Sequence, residues 1–187
     1  MEPDEALIER TLTGDMTAFE RLVERHQAVV FRTAARMVGP AEAEDVSQDA
    51  LLRAFHGLPS FRRQASFRTW LLQITHHAAV NALTRSRRRR VDPAAEAEME
   101  EIADPKPQPV ESLETSERRG RLQLKLGLLR PEYRALVVLR DLEGLSYDEI
   151  AQVLDMPLGS VKGRLHRARG ELIALLRANT YDWELPE

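Results

Sequence analysis

The chain has 187 residues, 43% hydrophobic and 30% charged, with a net charge of -3 and no cysteine. That length makes one medium domain or two small ones, and the lack of cysteine excludes a disulfide scaffold, a thiolate metal site and a cysteine nucleophile. No apolar run approaches a membrane span, and the start, Met1-Glu-Pro-Asp-Glu5, is acidic where a secretory leader would be basic. A cytoplasmic protein without membrane insertion is expected.

The small net charge hides an uneven distribution. Residues 42–90 and 118–180 each carry +5, residues 91–117 carry -8, and the ends 1–41 and 181–187 carry -2 and -3. Two basic blocks are separated by an acidic one, which points to nucleic acid as a partner.

The periodicity is helical nearly throughout. Phe19, Leu22, Val23, Val29, Val30 and Ala34 recur at three and four residues, which predicts a long helix over 15–38. Asp15 is its expected N-cap and Gly39-Pro40 its stop. A second helix is expected over about 41–57, burying Val46, Ala50, Leu51, Ala54 and Phe55. Residues 58–66 read as a loop. Ser66 then caps a third helix with Phe67, Trp70, Leu71, Ile74, Ala78 and Leu83 on one stripe, running into Arg85-Ser-Arg-Arg-Arg-Arg90.

From Val91 the pattern dissolves. Pro93, Pro105, Pro107 and Pro109 interrupt an Ala/Glu-rich stretch with few large apolar groups. Such a segment buries too little to offset its ordering entropy, so a flexible linker is expected over 91–111. Helical pattern returns near 112–129, 131–143, 146–154 and 159–177. The expected fold is therefore all-α: two small helical domains, 1–90 and 112–178, an acidic linker between them, and a tail 179–187.

Ser146-Tyr-Asp-Glu149 is a capping box. Ile150, Val153 and Leu154 give its helix an inner face, and Asp155-Met-Pro-Leu-Gly159 is a short turn. The helix beginning near Gly159 turns Val161, Leu165, Ala168 and Leu172 inward. That leaves Lys162, Gly163, Arg164, His166, Arg167 and Arg169 outward. A capped helix, a short turn and a basic-faced helix form a helix-turn-helix suited to the major groove. Lys and Arg donate to guanine edges and neutralise phosphates, and Gly163 lets the backbone approach the duplex.

Leu142-Glu-Gly-Leu-Ser-Tyr-Asp-Glu-Ile-Ala-Gln-Val-Leu-Asp-Met-Pro-Leu-Gly-Ser-Val-Lys-Gly-Arg-Leu-His-Arg-Ala-Arg-Gly-Glu-Leu172 resembles the fourth region of bacterial RNA polymerase sigma factors. The resemblance implies that Ser160, Lys162, Gly163, Arg164, His166 and Arg167 contact the minus-thirty-five promoter element. Gly163 and His166 depart from the family's commonest occupants. Ala43-Glu-Asp-Val-Ser-Gln-Asp-Ala-Leu-Leu-Arg-Ala-Phe55 resembles the second region. On its own, its polar face reads as a solvated stripe. The resemblance gives Asp45, Gln48, Asp49, Leu52 and Arg53 the task of gripping a coiled coil on the largest subunit of core RNA polymerase.

Ser66-Phe-Arg-Thr-Trp-Leu-Leu-Gln-Ile-Thr-His-His-Ala-Ala-Val-Asn-Ala-Leu-Thr-Arg-Ser-Arg-Arg-Arg-Arg90 is similar to the segment that reads and melts the minus-ten element. Capturing an unstacked base calls for a polar-edged pocket beside a basic groove. The family places that pocket in the loop Phe61, Arg62, Arg63, Gln64, Ala65 and Ser66. His77 and Asn81 are candidate base contacts, His77 standing where many members have asparagine. Arg85, Arg87, Arg88 and their neighbours are candidate phosphate contacts. The spacing of Phe67 and Trp70 favours core packing over stacking.

The linker carboxylates Glu96, Glu98, Glu100, Glu101 and Asp104 read by themselves as a solvated tether; the resemblance implies a path toward the RNA exit, where they would mimic phosphate. With the third domain of larger sigma factors missing, the resemblance is to the extracytoplasmic-function (ECF) type. It implies partners in core RNA polymerase (coiled coil and flap), promoter DNA and an anti-sigma factor.

No cofactor or metal is expected. Adjacent His76 and His77 point about 100° apart on a helix and rarely share an ion. No phosphate-binding glycine loop or serine or carboxylate constellation suggests an enzyme. The competing reading is an autonomous helix-turn-helix regulator, which would use 146–170 and leave 43–90 without a task.

Overall fold

The computed structural model describes residues 2–91 and 113–178, and the side chains of all of these except 90, 91, 113–117 and 119. The described residues are all-α and contain no strand. The helices are α1 (Asp4–Leu12), α2 (Met16–Val38), α3 (Pro40–Gly57), α4 (Phe67–Val91), α5 (Leu113–Leu128), α6 (Pro131–Val137), α7 (Tyr147–Val153) and α8 (Leu158–Arg177). The linker 91–111, with the carboxylates Glu96, Glu98, Glu100, Glu101 and Asp104, lies outside the described residues but for Val91, and so does the tail from 179.

Local chemistry sets the boundaries. Asp15 caps α2 by accepting from Thr17 N at 3.0 Å. Gly39 has φ 96° and serves both as the end of α2 and as the residue before α3. Pro40 therefore does not follow a stop; it is the first residue of α3, where a missing N–H costs nothing. Ser66 caps α4, its Oγ accepting from Thr69 N at 3.0 Å. The loop before α4 opens with a 3-10 turn, Leu58–Ser60.

Two features lie outside the helical reading of the sequence. The first is α1. It buries Leu7, Ile8 and Thr11, and its acidic start is held by cations of α1 and α2. Arg10 reaches Glu2 at 3.0 Å and Asp15 at 2.6 Å. Asp4 takes Arg25 and His26, the latter at 2.8 Å. The second is the expected helix 131–143, which is α-helical only to Val137. It widens into a π segment over Val138–Leu142, ended by Glu143 N donating to Val138 O at 2.9 Å and by Gly144 at φ 75°.

Helices α1–α4 pack together around Leu22, Val30, Met37, Ala50 and Leu71, and α5–α8 around Leu136, Leu139, Ile150, Val161 and Leu165. These groups also pack on each other. Val29 of α2 and Leu72 of α4 join the cluster formed by Leu136, Leu139, Leu145, Ile150 and Val153. Polar ties cross the same seam. The Arg134 guanidinium donates to Met37 O at the end of α2, and also to Gly127 O at 2.6 Å. Gln123 donates to Ala35 O at 2.6 Å. Both side chains thus satisfy terminal carbonyls of α2, where a cation such as Arg134 also meets the negative end of the helix dipole.

Candidate nucleic-acid interface

The capping box forms in full. Ser146 Oγ accepts from Glu149 N at 3.2 Å, and Glu149 Oε2 accepts from Ser146 N at 2.9 Å. These bonds hold the Glu149 carboxyl below the usual range, Ser146 contributing most. The turn between α7 and α8 is closed by Asp155 at φ 48°, a left-handed conformation that Asp tolerates. Helix α8 starts at Leu158, one residue before the expected Gly159, so Ser160 lies in its first turn with partial exposure.

On α8, Val161, Leu165 and Ala168 are buried while Lys162, Gly163, Arg164, His166 and Arg167 are all exposed. Five of the six residues expected to meet the minus-thirty-five element thus share one solvent-facing surface. An added Cβ at Gly163 would meet nothing within 4 Å, so packing within the protein does not require glycine there. Arg169, on the same helix, pairs with Asp141 at 3.0 Å through Nε.

The other surface lies at the start of α4. The loop before it lines a cleft of about 320 Å³ walled by Ser60, Phe61, Arg62, Gln64 and Ala65, by Thr69, Trp70 and Gln73 of α4, and by Gln152 and Val153 of α7. Phe61 and Trp70 pack with ring centroids 4.9 Å apart, tilted by 40°, and give the cleft an aromatic side. Phe67 is 5% exposed and belongs to the core; Trp70 is half-buried and does both jobs. Thr69 and Gln73 are cleft residues that the sequence reading does not single out, whereas the spacing of Trp70 puts it on the core stripe. The signal was the four-residue step from Thr69 to Gln73, hidden beside the stronger apolar stripe.

His77 and Asn81 are exposed on α4 but do not line this cleft. At 1.5 Å per residue they stand about 10 and 16 Å beyond Trp70 along the helix. Arg85, Arg87 and Arg88 are exposed further on. Arg63 is exposed at φ 56° and tied to Glu9 of α1 at 2.9 Å. The loop is thus anchored on α1, an element the sequence did not reveal.

On α3, Asp45, Gln48, Leu52 and Arg53 are exposed and Asp49 is partly so. Leu52 is 60% exposed among these polar groups, and Arg53 pairs with Asp49 at 2.8 Å. This is an apolar knob in a charged rim, on the side of α3 turned away from the core.

His76 and His77 have ring centroids 5.8 Å apart. Burial, with a smaller push from His77, lowers the His76 pKa to about 4. Among the described residues, no group of three or more His, Cys, Asp or Glu side chains could hold a metal ion. None of their helices is long and apolar enough to cross a membrane.

Comparison with known proteins bears on the chain as a whole. The Sigma-70 region 2 family model matches residues 22–89, and the Sigma-70, region 4 model matches 119–172. The chain is 38% identical over 178 residues to the ECF RNA polymerase sigma-E factor of Escherichia coli strain K12, covering 89% of this chain and 90% of that one. It is 36% identical over 175 residues to the RNA polymerase sigma-H factor of Pseudomonas aeruginosa, with 90% and 91% covered. Among solved structures, CnrH in complex with the cytosolic domain of CnrY aligns with a TM-score of 0.69 at 29% identity, covering 96% of this chain and all of that one. The sigma factor RpoE in complex with the anti-sigma factor NepR from Bartonella quintana aligns at 0.67 and 25% identity, with 86% and 98% covered. Two regional models in the right order, and a relative at 38% identity along nine-tenths of the chain, place it in a single family: the chain belongs to the ECF sigma factors of RNA polymerase.

Proposed function

We propose that this chain reads two promoter elements for core RNA polymerase, the minus-thirty-five element with α8 and the minus-ten element with the cleft before α4. The observation that carries this reading is the cleft itself. It joins an aromatic wall, Phe61 beside Trp70, to amide edges from Gln64 and Gln73. Such a site suits an unstacked base, stacked on one side and hydrogen-bonded on its edge. Beyond it the exposed arginines 85, 87 and 88 offer phosphate contacts along the melted strand. His77 and Asn81 would meet neighbouring nucleotides, since they stand outside the cleft.

Leu52 and its rim, Asp45, Gln48, Asp49 and Arg53, would hold the coiled coil of the largest subunit, with Leu52 as the buried anchor. The α5–α8 domain would meet the flap. RpoE of Bartonella quintana is held by an anti-sigma factor, and we assign this chain a protein inhibitor of the same kind. These activities would place it in the cytoplasm, with no catalytic step of its own.

The test is transcription. Purified chain and core polymerase, incubated with genomic fragments, should give discrete starts that core polymerase alone does not. Failure to bind core polymerase contradicts the reading. Tight operator binding by the chain alone, without starts, would favour an autonomous regulator.

A further inference from the structure

Helix α1 carries none of the residues assigned to DNA or to polymerase, yet the loop of the cleft is tied to it. The helix itself is held to α2 at both ends. At its start, Asp4 meets Arg25 and His26, and Glu2 takes Arg10 and Arg21 at 3.0 and 3.2 Å. At its end, Arg10 reaches Asp15, the cap of α2, at 2.6 Å. Leu7 and Ile8 are buried. Helix α1 is therefore a fixed platform beside the cleft.

Two lines of contact run from this platform to the cleft. The first is polar. Arg63 Nη2 donates to Glu9 Oε1 at 2.9 Å, across 54 residues of chain. Arg63 stands inside the loop at φ 56°, a left-handed conformation unfavourable for a long side chain, so the loop keeps this shape with help from its surroundings. The second line is aromatic. The His26 ring, with Nε2 at 2.8 Å from Asp4, meets Phe67 with centroids 5.3 Å apart. Phe67 in turn backs Phe61 at 6.0 Å and Trp70 at 5.7 Å, the aromatic side of the cleft.

The Glu9–Arg63 pair is largely in water, its side chains 65% and 47% exposed. Such a pair contributes little to stability. What it sets is the direction of the loop. Arg62 and Gln64, the chain neighbours of Arg63, wall the cleft on this side. Hydrogen bonds to a base edge weaken steeply when their donors shift or turn.

We propose that Glu9 is a positioning residue for minus-ten reading: acting through Arg63, it holds the loop so that Arg62 and Gln64 face the captured base, and it touches no nucleotide itself. This rests on the cleft reading above and adds to it an element that lies outside the cleft.

The test uses holoenzyme assembled from the full chain and core polymerase. The probe is a forked DNA from a start found in the transcription assay, with a duplex minus-thirty-five arm and a single-stranded minus-ten arm. Companion forks replace each minus-ten base in turn, and a duplex with the minus-thirty-five element alone is the control. Glu9→Gln should lower affinity for the parent fork about fivefold and shrink discrimination against replaced bases by a similar factor. Core-polymerase affinity, duplex affinity and the unfolding midpoint should match the parent. Arg63→Gln should lose at least as much, and the double variant should be no worse than Arg63→Gln alone, because the pair acts as a unit.

Parental fork affinity and discrimination in Glu9→Gln, or additive losses in the double variant, would overturn the proposal. So would tighter fork binding by Glu9→Gln with a salt slope steeper by about 0.7, the mark of an Arg63 released onto a phosphate of the single strand. If the parent gives starts and Glu9→Gln matches it on every fork, this inference alone fails. If the parent gives no starts, the sigma reading fails and this inference with it.

Discussion

Ser146 and Glu149 show how much a short motif reveals. Their reciprocal bonds depend on residues three apart, so the pair was legible in the sequence, and Ser146→Ala should cost about 1 kcal/mol, read as a lower denaturation midpoint. The same Glu149 also accepts from Thr69, 80 residues away, and nothing local announced that. Glu143 was silent for the same reason: Arg36 lies 107 residues distant. His76 yields a pH effect with a defined sign. Its folded pKa of about 4 lies below the ordinary 6.5, so between those values the unfolded chain takes a proton that the native state refuses. Stability contributed by the neutral ring is complete above pH 6.5 and is lost as pH falls towards 4. From pH 7.5 to 5 the loss should be about 2 kcal/mol. His76→Leu, whose native Nδ1 has no partner to lose, should flatten that part of a stability-against-pH curve, and an equally steep curve would contradict the assignment.

At the scale of the element, helices α2, α3, α4, α7 and α8 follow their apolar periodicity, and their caps stand within one or two residues of the expected positions. Helix α1 escaped because its anchors are cations of α2, and because Leu7 and Ile8 alone are too few to set a period. The π segment escaped because five residues cannot distinguish its wider turn from an α-helix. The outward faces of α8 and α3 were readable as exposed polar stripes; only the family resemblance proposes tasks for them, promoter reading for α8 and polymerase binding for α3. Two variants separate task from packing. Gly163→Ala meets no neighbour and should strengthen α8 by up to about 1 kcal/mol, yet weaken duplex binding if the backbone approaches DNA there. A melting curve and a binding curve moving in opposite directions would bear this out. Leu52→Asp, at an exposed position, should leave thermal unfolding within about 0.5 kcal/mol of the parent and reduce core-polymerase affinity at least tenfold in a pull-down titration.

For the whole molecule, the sequence revealed two basic blocks and a tether but not how the blocks meet. Val29 reads as an ordinary core position and Leu72 is not singled out; in the structure both belong to the apolar seam between the domains. A compact chain of 187 residues has a radius of gyration of about 16 Å. Elements named for positions thirty-five and ten lie about 25 base pairs apart, or about 85 Å of B-form DNA. The packed form cannot span them. Residues 92–112 could reach about 70 Å when fully extended, which with the domains' own width is sufficient. On the proposed reading of both elements by one chain the seam must open, against the ties that Glu143, Glu149 and Arg134 make across it. The most direct measurement is energy transfer between dyes at Glu20→Cys on α2 and Glu132→Cys on α6, both exposed positions in a chain otherwise free of cysteine. The dyes should sit within about 50 Å in the free protein and separate beyond about 60 Å in the complex with core polymerase and promoter. An unchanged distance in an initiating complex would contradict the view that this sigma factor works by opening.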